Sequence, residues 1–176
     1  DALLVSTTGK PSREVFEVRE KRREPHDGDF LTVGSMGHAS QIALGVALAR
    51  PEKEVYCIDG DGAVLMHMGG LATIGDLAPR NFRHIVLNNG AHDSVGGQPT
   101  VAFKTDLSAT AKACAYAASL FADDTASLAQ ALKEMRATSG PTFLEIRVRQ
   151  GARADLGRPT MGPAELAKRF ALQARK

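Results

Sequence analysis

Val55-Tyr56-Cys57-Ile58-Asp59-Gly60-Asp61-Gly62-Ala63 runs from an apolar stretch into a glycine-bracketed acid and on into a helical pattern. A second apolar stretch, Ile85-Val86-Leu87, ends in Asn88-Asn89, with 25 residues between the two polar motifs. Neither Val55 to Ile58 nor Ile85 to Leu87 alternates apolar with polar, which is the pattern of strands covered on both faces, so both belong in the centre of a parallel sheet. A right-handed crossover between two such strands brings their carboxyl ends close together, and ligands bind at that edge in doubly wound folds. The fold class is therefore α/β, a doubly wound parallel sheet with helices on both faces.

The rest of the chain repeats the same alternation of short β-rich runs and helical patterns. Outward toward the N-terminus, Ala2 to Val5 reads as a strand followed by a helix over Arg13 to Glu24, and Phe30 to Val33 as a strand followed by a helix over His38 to Ala49. A helix over Ala63 to Leu77 links the two central strands, the second of which is placed at His84 to Leu87. Beyond it come a long polar loop to about Thr105, helices over Ser108 to Leu120 and Thr125 to Thr138, a strand over Thr142 to Val148 and a terminal helix over Pro163 to Ala174. Alanine-rich Ala109 to Ala118 suits a close-packed helix. A polar loop as long as Asn89 to Thr105, with Gly90, Gly96, Gly97 and Pro99, is usually functional or disordered, and the remaining turns are read as short.

With 176 residues, 43% hydrophobic and 24% charged, the whole chain, 1–176, reads as one soluble domain. No apolar run approaches the ~20 residues of a membrane span. A net charge of +2 gives no reason to invoke nucleic acid, and Lys21-Arg22-Arg23 among Glu17, Glu20 and Glu24 reads as a solvated helix face. The N-terminus lacks a basic region and a cleavage site, so it is not read as a secretory signal, and a cytoplasmic location follows by default. Because it opens on Asp1 rather than Met, the chain is read as a piece of a longer polypeptide or one trimmed at its start. Cys57 and Cys114 fit reduced thiols better than a disulfide framework.

Asp61 and Asn89 are positioned to face one ion. A carboxylate, an amide oxygen and a backbone carbonyl are hard oxygen ligands, and phosphate oxygens and water would complete the octahedron that magnesium prefers. Gly60 and Gly62 let the backbone approach a phosphate closely, and the N–H groups of Gly62 and Ala63 at a helix start favour anions. Taken alone, Gly60-Asp61-Gly62 is equally a tight turn with an Asp helix cap. Two further strand ends carry similar groups. Gly34-Ser35-Met36-Gly37-His38-Ala39 surrounds Met36 with glycines, where the alternative is ordinary core packing. Ser6-Thr7-Thr8-Gly9-Lys10 suits an anion or a polar turn capped by Ser12.

Gly60-Asp61-Gly62 followed at this spacing by Asn88-Asn89 resembles the fingerprint of thiamine diphosphate enzymes. The runs Gly34 to Gly45, Asp59 to Ala63 and Asn88 to Thr100 resemble more closely still the C-terminal domain of phosphonopyruvate decarboxylase and the β subunit of sulfopyruvate decarboxylase. The resemblance implies thiamine diphosphate and Mg²⁺ as cofactors, with Asp61, Asn89 and the carbonyl of Ala91 as metal ligands. It puts Thr8 and Gly9 near the diphosphate, and the Gly34 carbonyl and Met36 N–H on the aminopyrimidine. Met36 becomes the wedge that keeps the cofactor bent. The implied reaction is loss of carbon dioxide from a small anionic 2-oxo acid to give an aldehyde.

In that family the activating Glu sits on a separate pyrimidine-binding domain, and no segment here is read as one. The implied partner is such a domain or an α subunit, within a homo- or hetero-oligomer. Candidates for returning a proton after decarboxylation are His38, His92, Asp93 and Ser94. Another branch of thiamine decarboxylases uses a Glu six residues beyond the second Asn, where this chain has Val95. For the substrate's anion the available groups are Lys10, Arg13 and the Gly96-Gly97-Gln98 loop. His26, His67 and His84 are read as solvated or structural. The competing readings are a 2-oxo acid oxidoreductase subunit, a carboligase, or a non-catalytic domain that keeps the fold; a nicotinamide Rossmann domain lacks its Gly-x-Gly-x-x-Gly here.

Overall fold

The computed structural model describes residues 2–176; Asp1 lies outside them. Six strands form one fully parallel sheet: β1 (Leu3–Ser6), β2 (Asp29–Leu31), β3 (Val55–Gly60), β4 (Phe82–Asn88), β7 (Ala118–Ala122) and β8 (Thr142–Arg147). The order is β2-β1-β3-β4-β8-β7, so Val55 to Ile58 and Ile85 to Leu87 lie in the two central strands. The chain winds one way from β1 to β2 and the other from β3 onward. The switch falls between β1 and β3, and their carboxyl ends diverge into Thr7 and Asp61, leaving the crevice in which doubly wound sheets bind ligands.

The main helices are α1 (Lys10–Arg22), α2 (Ala39–Ala49), α3 (Asp61–Met66), α4 (Gly70–Leu77), α5 (Leu107–Ala113), α6 (Thr125–Ala137) and α7 (Pro163–Ala174). The main core packs Val55, Cys57, Phe82, Val86 and Phe143 against Ala43 and Leu44 of α2, Ile74 of α4 and Ala111 of α5. Alternate residues on the opposite face, Leu144, Ile85 and Ile146, pack against Ala131 and Met135 of α6. Each fully buried Phe or Leu side chain contributes ~1.5–3 kcal/mol relative to exposure, so covering both faces accounts for the apolar runs seen in the central strands.

Three sequence expectations need correction. The helix read over Ser108 to Leu120 ends at Ala113; Ala115 turns left-handed (φ 65°), and Ala118–Ala122 leaves as an edge strand paired to β8. The helix read over Ala63 to Leu77 is two helices, broken around His67 and the Gly69-Gly70 pair. The connection after β8 is no short turn: residues 148–162 form an irregular strap before α7. The loop after β4 is built from a two-residue ribbon, β5 (Ala91–His92) antiparallel to β6 (Gln98–Pro99), closed by a 3₁₀ turn over Asp93–Val95. Among the described residues no helix is long and apolar enough to cross a membrane, and both cysteines are free.

Candidate active site

β3 delivers the first motif in a single step. Gly60 is still extended (φ −115°, ψ 155°) when α3 begins at Asp61, so Asp61, Gly62 and Ala63 stand at the carboxyl edge at a helix start. The Asp61 carboxylate is 2% exposed, yet it faces a cavity of about 230 Å³. Its Oδ2 accepts a hydrogen bond from Thr100 Oγ1 at 2.5 Å, which fixes the carboxylate's rotation. Gly62 is required by space as well as by backbone: a Cβ there would lie 2.5 Å from His92 Nδ1 and 3.1 Å from Met36 Cε.

The paired asparagines at the end of β4 divide their roles. Asn88 points into the sheet, where Nδ2 donates to Glu145 Oε1 (2.7 Å) and Oδ1 accepts from Gly90 N (3.1 Å), so it secures the loop. Asn89 faces the cavity; Oδ1 accepts from Ala91 N (3.0 Å) and Nδ2 donates to Asp93 Oδ2 (2.7 Å). Asp93 Oδ2 also accepts from Gly151 N (2.8 Å) and lies 3.7 Å from Lys10 Nζ. That oxygen thus takes donors from the loop, the strap and α1 together, the work of a positioning carboxylate and not of a free acid.

Asp61, Asn89 and Ala91 line the same cavity, along with Thr8, Met36, Gly60, Gly62, Ala63, His92, Asp93 and Ser94. Gly9 and Gly34 line a second cavity of about 700 Å³. Thr8, Lys10, Met36, Asp93, Ser94 and Val95 belong to both, so Met36 stands on the wall between them. Gly34 N donates to Thr8 Oγ1 (3.0 Å), which ties the loops after β1 and β2 together. His38 is not brought in: it is exposed at the start of α2, its ring tilted at 41° against that of His67 with 4.3 Å between centroids. Gly96, Gly97 and Gln98 line neither cavity. Ser12 does not cap α1, which starts at Lys10 with Pro11 in its first turn; its buried hydroxyl donates to Thr7 O (2.7 Å).

The sequence alone gave no role to Thr100 or to the strap, and the solvated helix face expected for Glu17 is corrected, because its carboxylate anchors the strap. Glu17 Oε1 accepts from Gly157 N (2.6 Å) and Oε2 pairs with Arg153. These two donors, the Gly157 amide first, hold the Glu17 carboxyl down at about 2. Arg149, Gly151 and Ala152 of the strap form part of the first cavity's wall.

Residues 8–146 match the family described as thiamine pyrophosphate enzyme, C-terminal TPP binding domain. The chain belongs to that family. This TPP-binding domain is 47% identical over 170 residues to a phosphonopyruvate decarboxylase from Streptomyces viridochromogenes, covering 97% of the chain but only 41% of that protein. It is 37% identical over 175 residues to sulfopyruvate decarboxylase subunit beta from Methanothermobacter thermautotrophicus, covering 99% of the chain and 88% of the subunit. In fold it resembles transketolase from Leishmania mexicana, with a TM-score of 0.68 at 16% identity over 84% of the chain and 28% of the transketolase. The TPP-binding assignment agrees with the cavity's chemistry: oxygen donors suited to a hard cation on one wall, and on another a glycine that leaves no room for a side chain.

Proposed function

We propose that this domain is the diphosphate- and magnesium-binding half of a decarboxylase of the phosphonopyruvate or sulfopyruvate type. The reaction is loss of carbon dioxide from a short anionic 2-oxo acid, leaving the aldehyde. The observation that carries the reading is the convergence of Asp61, Asn89 and Ala91 on one cavity, in a chain that matches such decarboxylases over nearly its whole length. Asp61, Asn89 and the Ala91 carbonyl would hold Mg²⁺; Gly60, Gly62 and Ala63, with Thr8 and Gly9, would hold the diphosphate; Gly34 and Met36 would meet the pyrimidine. When bound, thiamine diphosphate supplies the electron sink that decarboxylation requires.

The chain's own residues orient and shield that chemistry. Thr100 and Asp93 fix Asp61 and Asn89, Met36 separates the two cavities, and Arg149, Gly151 and Ala152 of the strap wall one side of the first. Of the four proton-transfer candidates, His92 is best placed. Among the described residues neither nitrogen of its ring has a hydrogen-bond partner, and the ring packs over Gly62. Ser94 lines both cavities and is the alternative. Asp93 is committed to positioning, and His38 lies outside.

A pyrimidine-binding domain or α subunit completes the site and supplies the activating Glu. Two observations support a partner: relatives named as β subunits, and Val33, Val95, Val101 and Phe103, each more than half exposed. A cytoplasmic location is part of the same reading. The test is to assay the complete assembly with phosphonopyruvate and sulfopyruvate and to follow the aldehyde. Acetolactate-like ligation products or reduced acceptor in place of aldehyde would move the protein to a carboligase or an oxidoreductase.

A further inference from the structure

The second cavity holds a charge imbalance that the cofactor reading does not use. Its lining includes Lys10, Arg13 and Arg158 against a single carboxylate, Asp93. Lys10 and Asp93 face each other at 3.7 Å. Arg13, on α1, and Arg158, on the strap, make no ion pair and no side-chain hydrogen bond among the described residues. Two guanidiniums, each with a planar fork of donors, are thus left at one cavity with no acceptor, and a tetrahedral oxyanion is the ligand class that such a pair recognises.

Their placement separates them from the Gly-Asp-Gly turn and from the cation's ligands. Gly60, Asp61, Gly62, Ala63, Asn89 and Ala91 line only the first cavity, whereas Arg13 and Arg158, together with Gly9 and Gly34, line only the second. The cationic rim therefore lies on the side of Met36 away from the Gly-Asp-Gly turn. Arg158 is also held in place, because its neighbour Gly157 donates its N–H to Glu17 Oε1 at 2.6 Å and Arg153, five residues back, pairs with the same carboxylate. Glu17 and Arg13 are both on α1, so one helix carries one guanidinium and anchors the strap that carries the other.

We propose that Arg13 and Arg158 form the subsite for the substrate's distal phosphonate or sulfonate, and that Glu17 is the positioning residue for Arg158. This rests on the proposed decarboxylase function and deepens it. It also reassigns the anion site away from Lys10, which is partnered, and from the Gly96-Gly97-Gln98 loop, which faces neither cavity.

The experiment compares kcat/KM for phosphonopyruvate, sulfopyruvate and pyruvate in the complete holoenzyme, wild type against Arg13→Gln, Arg158→Gln and Glu17→Gln. Pyruvate has no distal anion, so the preference for either anionic substrate over pyruvate should fall at least ~tenfold in each arginine variant, expressed mainly in KM. Glu17→Gln should lower it less and in the same direction. A preference that stays at the wild-type value overturns the proposal. So does a loss of thiamine diphosphate affinity matching the loss of activity, which would place the arginines on the cofactor. Calorimetry with methylphosphonate and methanesulfonate on the same proteins separates the two levels of inference. Binding that requires Arg13 and Arg158 in an enzyme that decarboxylates none of the three acids keeps the oxyanion site and refutes the decarboxylase. Binding that survives both substitutions refutes the site.

Discussion

Asp93→Asn replaces one carboxylate oxygen by an amide nitrogen, with little change in shape, at the point where the loop, the strap and α1 meet. Oδ2 accepts from Asn89 Nδ2 at 2.7 Å and from Gly151 N at 2.8 Å. Hydrogen bonds to a charged partner contribute ~1.5–3 kcal/mol each, against ~0.5–1.5 kcal/mol for neutral ones, so keeping both donors on a neutral oxygen loses ~2–3 kcal/mol in all. The Lys10 contact, 3.7 Å long with Lys10 31% exposed, adds well under ~1 kcal/mol. If half or more of that anchoring is felt by Asn89, cofactor affinity at fixed Mg²⁺ should fall ~5- to 150-fold. The assay is a double-mutant cycle on thiamine diphosphate affinity with Asp93→Asn and Asn89→Ala. Because Asp93 acts through Asn89, Asp93→Asn should cost almost nothing further once Asn89 is Ala. Unchanged affinity with a fall in turnover that adds to that of Asn89→Ala would refute the positioning role and restore Asp93 as a proton donor.

Other substitutions probe other layers of the structure. Gly75→Ala places a methyl group against the Cys114 carbonyl where α4 meets α5, and should destabilise the fold by ~1–3 kcal/mol, seen as a lower Tm; an unchanged Tm would mean that α5 yields freely there. Met36→Ala removes the wall between the two cavities but leaves the metal ligands, so proton exchange at the cofactor's C2 should slow more than affinity falls; wild-type exchange would make Met36 ordinary packing. The Glu17 carboxyl titrates at about 2 in place of its ordinary 4.5, a depressed value, so its hold on the strap is complete above 4.5 and is lost as pH falls through about 2. Hydrogen exchange at the Gly157 amide, corrected for intrinsic rates, should accelerate over that window, and Glu17→Gln should already show the acid-form rate at neutral pH.

The central strands and the meeting of Asp61, Asn89 and Ala91 at one cavity were legible in the sequence because each rests on a local rule. Uninterrupted apolar runs mark doubly covered strands, and oxygen-bearing residues at their carboxyl ends mark the ligand edge. The missed strand shows where local rules fail. Ala109 to Ala118 has the composition of a helix, but Ala115 adopts a left-handed backbone and β8 offers an open edge, so pairing wins over propensity at Ala118–Ala122. The break between α3 and α4 had its signal in Gly69-Gly70, which a continuous apolar period masked. The strap was illegible for a different reason. Its place is set by Glu17, 140 residues from Gly157, and by Asp93, 58 residues from Gly151, pairings that no spacing or period announces. His38 was drawn in by its neighbourhood in sequence and placed outside by the turn at Gly37, whose φ of 88° carries the chain away from the cavity.

The most direct measurement is calorimetric titration of the complete assembly with thiamine diphosphate in Mg²⁺, wild type against Asp61→Ala. Removing the carboxylate leaves the ion facing the diphosphate with one fewer anion, so affinity should fall at least ~tenfold, or ~1.4 kcal/mol, and raising Mg²⁺ should recover part of it. Equal affinity in the two proteins, or binding that is indifferent to Mg²⁺, would contradict the assignment of Asp61, Asn89 and Ala91 as the cation's ligands.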